Sequence, residues 1–383
     1  MAPYWQWETF RNAASWARGG TFKPDKLPTN GLLSGLLVHA YRAGVTDSMI
    51  ATQKWRLLDW VSKLEVVGDG GDAIKSLTGQ MNHYMSWLAL GGAAPDKHFN
   101  YGSSTKRMHT FIPFGRYMFD KDYGLDLSRW KSMELQFTND GDATYFAGDW
   151  SVDVMLLWLR DAPAGQFKGF FETKEWRSIT VEQNKTEYLV LPTKYPIRRI
   201  ALQVLPPVDA NMAAKITPYN VAKTIKLTKK SGQHKMFEDS LRQLWYVNYF
   251  ANGRDVFQPL EPYTSDEIGV HTGLGQTLGE AGLRLSHSSA QSTYGTTIEP
   301  GDDASTLRRV VNSDSDQDAL IVQGLALENC ACFDFDPNYD PSEWLDPQAD
   351  ADVELDLTSA DSADVVGGTY RVVLDRFRTG PTG

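Results

Sequence analysis

Four blocks of this chain occur twice in the same order, and that repetition restricts the fold more than any other feature. The apolar run Leu64–Val67 enters the turn Gly68-Asp69-Gly70-Gly71, and Thr224–Thr228 likewise enters Lys229-Lys230-Ser231-Gly232. Each turn leads to a segment with helical apolar spacing. The first carries Met81, Tyr84, Met85 and Leu88 behind the N-cap candidate Thr78, and the second carries Phe237, Leu241, Leu244, Trp245 and Tyr249. At an offset of 160, Leu77 meets Phe237, Met81 meets Leu241, Tyr84 meets Leu244 and Met85 meets Trp245. At an offset of 220, the alternating strand Met133–Thr138 meets Val353–Thr358. Similar segments precede these strands (Phe119–Trp130 and Phe335–Trp344), and closing strands follow (Val154–Asp161 and Tyr370–Arg378). A chain built this way folds as two like units.

Both units read as β. Short apolar runs recur between polar turns, among them Leu32–Tyr41, Thr110–Phe114, Val152–Leu159, Ile200–Leu205 and Ala319–Leu327. About a dozen such runs without regular strand–helix alternation predict sandwich or barrel architecture. The growth of the offset from 160 to 220 places extra residues, rich in Gly, Ser and Thr, at about 251–310 of the second unit. A long insertion is tolerated at a surface, so an exposed decoration is expected there. The sequence thus divides into an arm at 1–27, a first unit at 28–165 and a second at 166–383, joined near Asp161-Ala162-Pro163-Ala164-Gly165.

The arm has its own chemistry. Trp5, Trp7, Phe10, Ala14 and Ala17 follow a helix-like spacing that Gly19-Gly20 and Pro24 end. Arg11, Arg18, Lys23 and Lys26 outnumber Glu8 and Asp25, so the arm is positive in a chain of net charge −10. Aromatic and basic residues together suit a boundary between apolar and anionic surfaces. Trp5, Trp7, Arg11, Trp16 and Arg18 are therefore the expected contacts with a membrane or a neighbouring subunit. The acidic balance of the whole chain argues against a protein that chiefly binds nucleic acid. Cys330 and Cys332 are the only cysteines, and one residue apart on a strand they do not bridge easily, which fits folding in a reducing cytosol. The first residues lack the pattern of a secretory signal, and no apolar run is long enough to span a membrane.

The duplicated order of strand, glycine turn, amphipathic helix and further strands resembles the double jelly-roll major capsid proteins of tailless icosahedral viruses. That lineage includes adenovirus hexon and membrane-containing bacteriophages. The residues carrying the likeness are Leu64–Gly70 with Ser76-Leu77-Thr78-Gly79-Gln80, Pro113–Tyr117 with Phe119-Asp120, and Tyr370–Phe377. The likeness spans nearly the whole chain, as pattern and topology and not as one diagnostic motif. It implies an all-β fold of two tandem eight-stranded jelly rolls, each with a short inserted helix, plus an N-terminal helical arm. It also implies a homotrimer with six like domains around its axis, a pseudo-hexagonal tile for a capsid lattice in the virion, made in the host cytoplasm. Minor capsid or vertex proteins and an internal lipid membrane are the further implied partners, with no direct sequence-specific nucleic-acid binding.

No enzyme motif is expected to operate here. Gly273–Gly279 has the wrong spacing for a dinucleotide fingerprint, and neither G-x-S-x-G nor H-E-x-x-H occurs. The seven histidines are scattered, and His83 reads as a residue of its helix's polar face. Asp334, Asp336, Asn338 and Asp340 put hard oxygen donors at alternate positions, as a calcium loop begins. Tyr339 and Leu345 stand where an EF-hand needs Gly and Glu, so a solvated loop is the expectation and the four are weak metal candidates. No cofactor is expected. The rival reading is a carbohydrate-binding or carbohydrate-active β-sandwich, which an acidic, Trp-rich β protein also suits.

Overall fold

The computed structural model describes residues 2–42, 56–92, 106–207, 216–252 and 326–381, save 145, 147, 164 and 351. Between 253 and 325 it describes the backbone of six short strands. In chain order the elements of the first half are β1 (Tyr4–Trp16), β2 (Thr21–Phe22), β3 (Leu32–Arg42), β4 (Val61–Gly68), β5 (Asp72–Leu77), α1 (Gly79–Ala89), β6 (Lys106–Pro113), β7 (Leu125–Asp126), β8 (Met133–Asn139) and β9 (Trp150–Arg160). The second half begins with β10 (Phe170–Thr180), β11 (Thr186–Val190), β12 (Ile197–Leu205), α2 (Pro218–Val221), β13 (Ala222–Lys229), β14 (His234–Asp239) and α3 (Leu241–Asn252). Next come β15 (Val256–Leu260), β16 (Val270–Thr272), β17 (Ala281–Ser286), β18 (Thr297–Pro300), β19 (Leu307–Val310) and β20 (Ala319–Gly324). The half ends with β21 (Cys330–Asp334), α4 (Pro347–Asp350), β22 (Glu354–Ser359) and β23 (Thr369–Arg378).

The first roll pairs a sheet ordered β1-β9-β3-β6 with one ordered β2-β8-β4-β5. The second repeats both orders strand for strand, as β10-β23-β12-β21 and β11-β22-β13-β14. Thus β1 corresponds to β10, β3 to β12, and β4-β5 to β13-β14. Alternation lets each sheet bury one face: Met133, Leu135 and Phe137 of β8 are buried between half-buried neighbours. Trp16, Leu36, Val38, Leu64, Phe137 and Val154 share one core, and Ile200, Leu202, Leu227, Trp245, Leu355 and Val372 share the other. The rolls are fused, because β5 pairs with β10 in parallel (Lys75 opposite Thr173, Ser76 opposite Lys174) and makes one eight-stranded sheet of two halves.

The helical arm is not found. Residues 4–16 form β1, antiparallel to β9. Two bulges, between Thr9 and Arg11 and between Arg11 and Ala14, add residues to one strand only, with Ala13 at φ 49°. They stretch the spacing of inward apolar residues from two toward the helical value. β10 carries the same bulge between Glu175 and Arg177 where it crosses β23, so β1 is the first strand of a roll and not an appendage.

The ladders also correct the offset between the helices. Leu77 lies opposite Leu64, and Asp239 lies opposite Ile225, in hairpins whose bulges fall at matching places. The offset is therefore 162: Leu77 corresponds to Asp239, and Thr78 to Ser240, whose Oγ accepts from the Gln243 backbone as Thr78 accepts from Met81. Within the insertion, β15-β20-β17 and β16-β19-β18 form two separate three-stranded sheets. β20 pairs there and not in a roll, so the inserted strands extend beyond residue 310.

Candidate functional site

Among the described residues the seam between the rolls gathers the most buried polar contacts, and α1 is its centre. Gly79 opens the helix where a Cβ would meet the Leu58 carbonyl oxygen at 2.2 Å, so only glycine fits. Toward its own roll α1 turns small polar groups. Asn82 Nδ2 donates to Thr110 Oγ1 (2.6 Å) and to the Phe111 carbonyl (3.2 Å), and Ser86 Oγ donates to the same carbonyl. Its apolar stripe turns the other way. Met81, Tyr84, Met85 and Leu88 pack with Ala201, Leu327, Cys330, Cys332 and Val373 of the second roll. The apolar residues of α3 do the reverse: Leu241, Leu244 and Trp245 join the core of their own roll.

Buried charges span the seam. Arg56 makes a two-pronged bond to Glu328 (Nη1–Oε1 and Nη2–Oε2, both 2.7 Å) and also donates to Asp59 from Nη2 at 2.6 Å. His83 is not on an exposed face but buried, its Nδ1 2.7 Å from Glu328 Oε1. Gln203 Nε2 donates to Gln80 Oε1 (3.1 Å) and to the Glu328 carbonyl (3.1 Å). Burial alone would raise the Glu328 carboxyl, but the charge of Arg56 with hydrogen bonds from His83 and Arg56 holds it below the usual carboxylate range. Nearby, Lys75 Nζ donates to Thr173 Oγ1 (2.5 Å), which donates to Asp375 (2.7 Å), itself bound by Arg198 Nε (2.9 Å). Burial pushes the Lys75 ammonium down to about 8 against the pull of Asp375. Arg378 grips Asp72 with two bonds of 2.8 and 2.6 Å. Such pairs add little net stability, yet those that cross the seam, from Arg56 and His83 to Glu328, Lys75 to Thr173 and Arg378 to Asp72, are satisfied in only one mutual placement of the rolls. What the arrangement does is fix geometry.

The predicted contact residues of the arm are separated by the fold. Trp16 is fully buried, edge-on to Trp150 at 4.9 Å between ring centres, and is unavailable to a bilayer or a partner. Trp5 is half-buried against Phe119, whereas Trp7 stays 37% exposed. Arg11 is engaged by Asp25 and lies over the Phe10 ring, and Arg18 Nη1 donates to the Phe146 carbonyl (2.7 Å). Of the eleven tryptophans among the described residues, seven are buried: Trp16, Trp60, Trp87, Trp130, Trp150, Trp158 and Trp245. The tryptophan content is thus mainly core, and nothing found favours the carbohydrate reading.

The acidic run does not converge. Asp334 pairs with Arg199 Nε (2.9 Å), Asp340 caps the Ser342 backbone (2.9 Å), Asn338 bonds Glu343, and Asp336 is buried, which raises its carboxyl. Among the described residues no three metal-ligating side chains gather. The Gly273–Gly279 run, His98 and His287 lie outside the described residues. The β3–β6 register does bring two of the scattered histidines together: His39 and His109 stack at 4.4 Å, with His39 Nδ1 3.0 Å from Asp153. Sequence inspection missed the seam, since Arg56 and Glu328 carry no signal of proximity across 272 residues.

No protein-family model and no curated protein matches the chain in sequence. Solved structures do match in shape. A chain from the Sulfolobus turreted icosahedral virus superposes with a TM-score of 0.60 at 11% identity, covering 98% of this chain and 91% of its own. The PBCV-1 virus capsid matches with a TM-score of 0.55 at 12% identity, over 98% and 94%. The major capsid protein P2 of bacteriophage PM2 matches with a TM-score of 0.50 at 14% identity, over 98% of each chain. The chain has the double jelly-roll fold.

Proposed function

We propose that this chain is the major capsid subunit of a tailless icosahedral virus, with no catalytic role, and that it works in the virion. The observation that carries the proposal is the strand-for-strand repetition of one roll in the other, joined by a locked seam. Two like rolls at a fixed angle are one third of a closed ring of six, and cyclic association of identical chains supplies the rest. Three copies place six like rolls about an axis, a tile with near-hexagonal edges. The shape matches to capsid chains support the same reading.

Within this reading the rolls divide at about residue 165, and the insertion decorates the outer surface of the tile. Of the two contacts expected of residues 1–27, a neighbouring subunit is favoured over a bilayer. Arg11 and Arg18 are already engaged, and β1 is a sheet edge with an open side. Minor or vertex proteins, and a membrane beneath the shell, are further partners of the assembled tile. The test is the mass in solution followed by electron microscopy. A species of three chains of 42.9 kDa that forms shells or sheets is expected. A stable monomer that never assembles would overturn the proposal.

A further inference from the structure

Each element of the seam has a counterpart elsewhere in the chain, and among the described residues the counterparts lie open. β5 corresponds to β14, which ends its sheet, and β10 corresponds to β1, which ends another. At the offset of 162, α1 residues Met85 and Leu88 correspond to Val247 and Phe250 of α3. Met85 and Leu88 are buried under the second roll, whereas Val247 is 51% and Phe250 78% exposed. The surface that α1 covers has its own counterpart. Ala201 faces Val373 and Cys332 across its ladders, and Leu37 faces Met155 and Phe111 at the matching positions of the first roll. Leu37 and Met155 are half-buried on the outer face of that sheet, beside the stacked His39 and His109.

We propose that the α3 face of one copy seats on the outer face of the first roll of the next copy, repeating between chains the contact that α1 makes within one. Val247 and Phe250 then cover Leu37 and Met155, and β14 runs parallel to β1 of the neighbour. In that pairing Phe237 lies opposite Trp7, since Lys75 lies opposite Thr173 inside the chain. The edges fit this use. Trp7 and Met236 are 37% and 39% exposed, and a cleft of about 420 Å³ lined by Met236, Phe237, Val247 and Tyr339 opens on the same side. The contact is heterologous: the two faces differ, so each copy offers one of each and the chain of contacts closes only as a ring. The inference rests on the tile proposed above and supplies the surfaces that build it.

The experiment uses three variants of the full chain. V247D/F250D blocks the α3 face, and L37K/M155K blocks the face it seats on. Because Leu37 and Met155 are half-buried, Trp7→Asp at the exposed edge serves as a second block of that face. Melting curves confirm that each variant is folded. The parent should run as three chains and each variant as one. An equimolar mixture of V247D/F250D with W7D or L37K/M155K should give a species of two chains and nothing larger, because one intact face of each kind remains. A trimeric V247D/F250D, or a mixture of folded variants that stays monomeric, overturns the assignment of the faces while leaving the tile standing. A monomeric parent overturns the tile itself.

Discussion

α1 and α3 occupy equivalent places in two copies of one roll and turn the same face to it, yet their buried apolar stripes lie on opposite faces. α3 turns Leu241, Leu244 and Trp245 to its own core and leaves Val247 and Phe250 to solvent. α1 turns Asn82 and Ser86 to its own roll and saves Met81, Tyr84, Met85 and Leu88 for the other. One contact survives in both. Asn248 bonds the backbone of Cys332 at 2.6 and 2.7 Å, as Ser86 bonds Phe111. The difference teaches that a helix's apolar stripe marks whichever neighbour removes most water from it, and inside a chain of two domains that neighbour belongs to either one.

The largest effect should come from the charges that only α1's side of the comparison possesses. Glu328→Gln leaves Arg56 buried with half its partners, a loss of about 3–5 kcal/mol for a broken buried pair. Denaturant unfolding should show it, and a change below 1 kcal/mol would mean that the charge of Glu328 is not what holds Arg56 in the seam. Next, Met81→Ala and Leu241→Ala should each cost about 2–5 kcal/mol, since both side chains are fully buried. Calorimetry of the two variants sharpens the comparison. If the rolls unfold separately, M81A weakens their coupling and L241A lowers the transition of the second roll.

The seam also predicts a pH response. The folded chain releases the Lys75 proton near pH 8 and the unfolded chain near 10.5. Between those values the unfolded state holds one more proton, so stability contributed by this site rises with pH. In Lys75→Met the site is silent. The stability of the parent should therefore gain on that of K75M by about 3 kcal/mol between pH 8 and 10.5, and parallel profiles would show that Lys75 is not titrating as buried. The smallest effect belongs to α3's open face. Val247→Ser should move the unfolding free energy of the single chain by no more than about 0.5 kcal/mol, as surface changes do. A loss of several kcal/mol there would place Val247 inside a core.

Much of this was legible from residues alone. The strict alternation of Met133–Thr138 and its counterpart, the paired turns and the helical stripes were enough for two like β units. The same signals misled where a period was locally disturbed. β1 read as helical because two bulges altered the spacing of Trp5, Phe10 and Ala14, and a bulge leaves no mark in composition. The helices were aligned two residues out of register because apolar stripes were matched, and the stripes face different partners. Trp16, an aromatic beside basic residues, read as a surface contact until the β1–β9 pairing carried it under Trp150.

The sequence by itself determined that the chain is duplicated, that both halves are β, and that α1 begins behind Thr78, although it drew Phe237 of strand β14 into the second helix. Those properties follow from local periodicity and capping, which act over a few residues and are written in order along the chain. Tertiary structure alone decided which sheet edges fuse, that α1 serves the second roll, and that Arg56 meets Glu328. Those outcomes depend on contacts between residues far apart in the chain, where burial and charge pairing select one arrangement among many that the same local patterns allow.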